Sequence, residues 1–229
     1  MLETAPSLTD QIHDAIVAEI CDGRLAPGTH LVQERLAERF GVSRQPIQQA
    51  MARLRADGLV EECGRRGLFV TALDPARMRE HYGIRAALDG WAARAAARRI
   101  AAEPALKGAL AEEGRDIFEA ARRAVAAGDV LALMRCDDAF HFLVYRASGN
   151  AMVATTAEPH WRFLRRAMVD VLREAEAPAE IWRQHGEIFA AITAGDAEAA
   201  ERLAVTHVER AAALLAAVLR NQSPRGGER

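Results

Sequence analysis

No stretch of this sequence is apolar for long enough to cross a bilayer. The longest uninterrupted apolar run is Ala211–Leu219, whereas a spanning helix takes about 20 residues. No secretory leader opens the chain either, so a cytoplasmic protein with no membrane partner is expected. Cysteine is scarce: Cys21, Cys63 and Cys136 are scattered. They form no disulfide framework, which fits a reducing compartment. Lysine is nearly missing, Lys107 standing alone among 30 basic residues, and this bias toward arginine discounts arguments from arginine counts. A net charge of −2 does not advertise a polyanionic partner. No nucleophile elbow, phosphate loop, HExxH or internal repeat is present. With 229 residues, half of them apolar, the chain has material for one or two domains with real cores.

What is present centres on Leu31–Leu59, LVQERLAERFGVSRQPIQQAMARLRADGL. It reads as two short helices joined by a tight turn. Leu36, Ala37 and Phe40 make one apolar face, and Gly41 follows where a left-handed residue ends a helix. Ser43 is placed to cap the second helix, with Pro46 in its first turn. Ile47, Ala50, Met51 and Leu54 then recur at i, i+3, i+4 and i+7. Gln45, Gln49 and Ala52 point away from that stripe, with Gln48 on its flank. A helix packed on one side and lined with Gln and Arg on the other suits a major groove, although a helical hairpin in any all-α core has the same pattern. Leu59–Glu62 and Leu68–Thr71 are β-prone runs around Cys63-Gly64-Arg65-Arg66-Gly67, a hairpin with a basic tip. Residues 1–72 carry eight Arg against ten acids, but between Arg35 and Arg66 seven Arg face four acids. Any basic surface is therefore local.

Upstream, Ser7-x-x-Asp10 has the form of a capping box. Ile12, Ile16 and Ile20 then stripe a helix that Gly23 ends. Asp74-Pro75 starts a new helix and marks the domain boundary. From there to Arg220 the chain is helical in character. Breaks at Glu103-Pro104, Gly128-Asp129, Ser148-Gly149-Asn150, Ala177-Pro178 and Gly195-Asp196 delimit about six helices of bundle length. The expected architecture is mainly α: a winged helix-turn-helix with a small β-hairpin over 1–73, an antiparallel six-helix bundle over 74–220, and a disordered tail over 221–229.

Four side chains do not fit a plain helical core. Asp137 and His141 are i, i+4 among Met134, Phe140 and Val144. His185 sits with Ile188, Phe189 and Ile192, and His207 lies between Leu203 and Leu214. Either each imidazole is hydrogen-bonded singly, or one divalent cation satisfies all four. His13, His30, His81 and His160 show no partner spacing and read as surface or singly bonded residues. Cys136 reads as a core thiol.

PGTHL, LAERFGVSRQPIQQAM, LRADGLVE and RRGLFV resemble the DNA-binding domain of the GntR family of bacterial regulators, over about residues 8–72. DDAFH, SGN, QHGEIFAAITAGDAEAA and THVERA resemble the FCD effector domain of the FadR subfamily, over most of 78–215. The resemblance implies a homodimer on a short palindromic DNA duplex. Arg35, Arg44, Gln45, Gln48, Gln49, Arg65 and Arg66 would contact the DNA. Most family members carry Arg-Glu where Gln48-Gln49 stands. It also implies a metal on Asp137, His141, His185 and His207: Zn²⁺ first, with Ni²⁺ or Mn²⁺ compatible with the same donors. In YGIRAALDG, Arg85 matches an arginine that often faces the ligand cavity, and a small carboxylate is the effector class implied. Asp89 stands where the family usually has Glu. The plainer reading of Arg85 is an i, i+4 surface pair with Asp89, and Asn150 is read as a helix cap.

Two function classes follow: a ligand-responsive DNA-binding regulator, in which acid binding releases a repressor, or a metal-dependent enzyme carrying a DNA-binding module. Metal hydrolysis needs a general base beside an open coordination position. The nearest candidate, Glu187, lies two residues from His185 and so points elsewhere on the helix. The regulator reading is therefore preferred.

Overall fold

Ser7 opens the first helix, α1 (Leu8–Cys21), through a reciprocal cap. Its hydroxyl accepts the Asp10 N–H while the Asp10 carboxylate accepts the Ser7 N–H. The computed structural model describes residues 7–64, 67–72, 74–174 and 178–222, with side chains described except at 166–174 and 218–222. The chain divides into two compact units at Asp74 and Pro75.

In the first unit α1 buries Ile12, Ile16, Val17 and Ile20. A short strand β1 (His30–Leu31) precedes α2 (Gln33–Phe40), which Gly41 ends at φ 66°, a left-handed conformation that only glycine adopts cheaply. Then comes α3 (Arg44–Ala56), whose buried residues Ile47, Ala50, Met51 and Leu54 are the predicted stripe. Ser43 stands at its N-cap with extended backbone, but its hydroxyl makes no capping bond. Of the two N–H groups a capping oxygen can accept from, the third helical one is missing because that residue is Pro46, which leaves only Gln45.

Strands β2 (Val60–Glu62) and β3 (Leu68–Val70) form the expected antiparallel hairpin, Val60 facing Val70. β1 adds itself to the far side of β3, giving the order β1-β3-β2 with His30 opposite Phe69. This third strand was not predicted; His30 is exposed on it, as read, with its ring stacked on Phe69 at 4.6 Å. His13 departs from expectation. It is buried in α1, with Nδ1 2.9 Å from Asp14 Oδ1 and Nε2 3.0 Å from Asp57 Oδ2, which ties α1 to the end of α3.

The second unit holds α4 (Pro75–Ala102), α5 (Leu106–Ala127), α6 (Val130–Ala147), α7 (Ala151–Glu174), α8 (Pro178–Ala194) and α9 (Ala197–Gln222). Four of the predicted breaks fall between these helices; at the fifth, Pro178 opens α8 and Ala177 lies outside the described residues. Asn150 Oδ1 accepts the Met152 N–H at the start of α7, as a cap should. Helix α7 continues through Pro159, which the sequence reading did not single out. Helix α9 runs two residues into the segment expected to be a tail, and the rest of that segment lies outside the described residues. The core joins Ala92, Ala93, Ala96 and Ala97 of α4 to Phe140, Val144 and Tyr145 of α6, Trp161 of α7, Ile188 and Ile192 of α8, and Ala200 and Ala204 of α9. Helix α4 packs most extensively on α9. Small residues let the two approach closely: a Cβ on Gly90 would come within 2.6 Å of Val205 Cγ2. No described helix is long and apolar enough to cross a membrane.

The cap on α1 gives a pH signature. The Ser7 hydroxyl and then the Arg53 guanidinium hold the Asp10 carboxyl down from its ordinary 3.8 to about 2. A depressed carboxyl contributes stability above its unfolded value and loses it as pH falls through the folded value. Asp10→Asn should therefore lower the thermal midpoint at neutral pH, and the gap to wild type should close between about pH 4 and pH 2. Circular dichroism melts across that range check this; a gap independent of pH would refute it.

Candidate functional site

Helix α6 presents Asp137, His141 and Tyr145 at i, i+4 and i+8, one above another on a single face. Helix α8 supplies His185 and α9 supplies His207, and all five side chains are buried. His185 Nε2 lies 3.1 Å from His207 Nε2 and 3.4 Å from Asp137 Oδ1. His141 Nε2 is 3.9 Å from the same Asp137 oxygen. One donor atom from each of the four predicted ligands falls within 4.8 Å of every other. A metal about 2.1 Å from each nitrogen and oxygen needs donors roughly 3–4 Å apart, so the set is close to what such an ion requires.

The chemistry of the donors fits a cation as well. Asp137 Oδ2 and His185 Nδ1 are buried and have no hydrogen-bond partner among the described residues. Burial pushes the Asp137 carboxyl above its ordinary range, against the pull of His141 and Arg85. Burial, followed by the neighbouring imidazoles and Arg85, pushes His185 and His207 well below the ordinary histidine value. Unprotonated imidazoles are the form that binds metal. His207 Nδ1 lies 2.9 Å from Gln184 Oε1, so its proton belongs on Nδ1 and its Nε2 lone pair faces the cluster. Beside His207, Leu203 is half-buried, but Leu214 is exposed. The apolar face read around that histidine is thus narrower than its spacing implied.

Arg85 is not the surface partner of Asp89 that one reading allowed: it is 1% exposed, and Asp89 is 2% exposed. Its Nε donates to Asp89 Oδ2 at 3.3 Å, and its plane lies on Trp161, Cζ 3.7 Å from the ring centroid. Its Nη2 lies 2.9 Å from His141 Nε2. Because a guanidinium has only donors, that nitrogen must accept, and the His141 proton sits on Nδ1, 3.1 Å from Asp89 Oδ2. Tyr145 O–H donates to the other Asp89 oxygen and accepts the Trp161 indole N–H at 3.0 Å. Burial works against ionising Asp89, but the charge of Arg85 and the contacts with His141 and Tyr145 hold its carboxyl below the usual range. Asp89, Tyr145, Trp161 and Gln184 were not identified from sequence. Tyr145 carried a signal, its i+4 spacing from His141, as did Asp89, i+4 from Arg85, and Gln184, next to His185; Trp161 reaches the site from α7, whose placement no local spacing reports.

His81 and His160 form a second pairing, Nδ1 to Nδ1 at 2.9 Å, with His81 stacked on Phe163 at 4.0 Å. Cys136 is buried, as read.

In the first unit, Arg35 lies on α2 and Arg44, Gln45, Gln48 and Gln49 on α3, all exposed. Arg44 pairs with Glu34 at 3.4 Å. Gln49 Oε1 accepts from the Thr9 hydroxyl of α1 at 2.9 Å, which turns that side chain toward α1. Arg65 and Arg66 lie outside the described residues.

Residues 8–70 match the family of bacterial regulatory proteins named gntR, and residues 80–210 match the FCD domain. The chain belongs to the GntR family and carries an FCD domain. This regulator is 31% identical to a probable D-xylose utilization operon transcriptional repressor of Paenarthrobacter nicotinovorans, over 90% of its own length and 87% of the relative's. It is 27% identical to the transcriptional repressor RspR of Escherichia coli K12, over 91% and 89%. In fold it is similar to the solved structure of McbR/YncC of E. coli, with a TM-score of 0.75 and 23% identity over 91% of this chain and 97% of that one. The matching families and relatives are transcriptional regulators and not enzymes, which decides between the two function classes.

Removing one partner of a buried ion pair leaves the other charge uncompensated. Asp89→Ala should therefore cost about 3–5 kcal/mol of effector-unit stability. Urea denaturation followed by the effector-unit tryptophans measures it; a cost below about 1 kcal/mol, the level of a surface pair, would contradict the network.

Proposed function

We propose that this regulator is a homodimeric repressor that a small carboxylate releases from a short palindromic operator in the cytoplasm. The observation that carries the reading is the convergence of four metal donors beside a buried arginine whose Nη1 has no hydrogen-bond partner among the described residues. Asp137, His141, His185 and His207 would hold a divalent cation, Zn²⁺ before Ni²⁺ or Mn²⁺. When bound, that cation supplies a positive centre for a carboxylate oxygen. Arg85 orients the acid through charge-assisted hydrogen bonds. Trp161 and Phe140 keep water from the site.

The acid acts on DNA binding only if it favours one arrangement of the dimer over another. Helix α4 is the element that conveys the difference: it carries Arg85 and begins at Pro75, directly after the first unit in the chain. On the DNA side, α3 enters the major groove, and the duplex's two-fold symmetry matches a homodimer. Arg44, Gln45 and Gln48 read bases or phosphates, Arg35, Arg65 and Arg66 hold the backbone, and Gln49 contributes the amide edge that Thr9 leaves open. Repression rather than activation is supported by the names of two relatives.

Two measurements test this. Calorimetry with a panel of organic acids should show binding to wild type and at least tenfold weaker binding to His185→Ala and to Arg85→Ala, in keeping with the loss of a charged contact. If the acids that release DNA bind His185→Ala as tightly as wild type, the metal is only structural. In a binding-site selection, Gln48→Arg should shift preference from A·T toward G·C at one step of each half-site, because Arg pairs bidentately with guanine and Gln with adenine. An unchanged selection would remove Gln48 from the reading set.

A further inference from the structure

The atom that holds Arg85 in place is one the proposed cation needs. Arg85 Nη2 lies 2.9 Å from His141 Nε2. The other ring nitrogen is committed to Asp89 Oδ2 at 3.1 Å, so His141 has a single lone pair, and it points at the guanidinium. The same Nε2 is the His141 atom that faces Asp137, at 3.9 Å from Oδ1. A lone pair serves a hydrogen-bond donor or a metal ion, never both. The like charges of a guanidinium and a divalent cation also repel at this range, in surroundings where water does little to screen them.

We propose that Arg85 is a built-in competitor of the metal for His141, so that loading the cation is what frees the guanidinium to meet an anion. The inference rests on the metal reading above and adds an order to it: cation first, carboxylate second. The rest of the network suits that role. Asp89 accepts from Nε whereas His141 faces Nη2, so the side chain can leave His141 without losing its counter-charge. Trp161 presents a flat face on which the guanidinium can turn while staying in contact, Cζ being 3.7 Å from the ring centroid. Nη1 is buried and has no partner among the described residues, so once Nη2 is released two donors on one end of the fork are available together. A carboxylate accepts that pair. Arg85 thus lowers metal affinity and raises anion affinity, two effects that a residue serving only the anion would not combine.

The experiment measures Zn²⁺ affinity of the metal-stripped full-length protein by competition with a chromophoric chelator. Wild type is compared with Arg85→Met and Arg85→Lys. Lysine keeps the charge that pairs with Asp89 but is one bond shorter, so it preserves the fold while giving up the contact with His141. Both variants should bind zinc more tightly than wild type, Arg85→Met by roughly tenfold or more and Arg85→Lys by less. If Arg85→Met does not fold, Arg85→Lys decides alone. Zinc affinity equal to or below that of wild type in the folded variants overturns the competition while leaving the metal site standing. Absence of stoichiometric zinc binding in wild type and variants alike overturns the metal reading itself, and this inference with it.

Discussion

A guanidinium cannot be left among apolar helices without a counter-charge, and the effector unit is arranged around that constraint at Arg85. Taking such a group out of water costs several kcal/mol, and only good geometry with further hydrogen bonds offsets it. Asp89 supplies the charge from one turn further along α4, Trp161 of α7 supplies a face, and Tyr145 of α6 steadies the carboxylate. Each partner comes from a different helix or turn, so satisfying one charge fixes the register of three helices. The orientation of His141 follows from this: Asp89 chooses its tautomer, and with it the direction of the lone pair. The donor cluster on α6, α8 and α9 is therefore set by a residue on α4 that is not itself a ligand.

The DNA-binding unit solves a simpler problem by simpler means. An apolar stripe on α3 seats the helix, and His13 fastens its far end through Asp57. On the exposed face of α3, Gln49 is held by Thr9 and Arg53 pairs with Asp10, both of α1, while Arg44 pairs with Glu34 of α2. The apolar stripe behind that face does not depend on which polar residues stand at Gln45 and Gln48.

Much of this was legible because helices announce themselves locally. Gly41, Pro75, Gly128 and Pro178 punctuate the chain where their backbone demands it, and the stripe on α3 needs only its own spacing. The four candidate donors were singled out for a related reason: an ionisable group on an apolar face is visible from one helix at a time, and the structure brings the four together. Relations between helices were not. That Arg85 touches His141, 56 residues away, is a fact of packing. The pairing of Asp89 with Arg85 was visible in their spacing, but its burial and its contacts with Tyr145 and His141 were not. Strand β1 escaped because two residues carry no alternation, and they become a strand only when β3 lies beside them. Ser43 differs in detail, since Pro46 removes one of the two N–H groups that its hydroxyl could accept from.

The first helix of the effector unit packs chiefly on the last, α4 on α9. During synthesis this sets a schedule. The ribosome releases chain at about 5–20 residues per second, and folding units complete as they emerge. The winged unit is finished once Val70 is out, but the small-residue face of α4 must wait for α9, which starts at Ala197. For roughly 6–25 seconds a nascent chain holds a complete DNA-binding unit while α4 still lacks its packing partner. The second unit is completed last, and all at once, when α9 closes against α4.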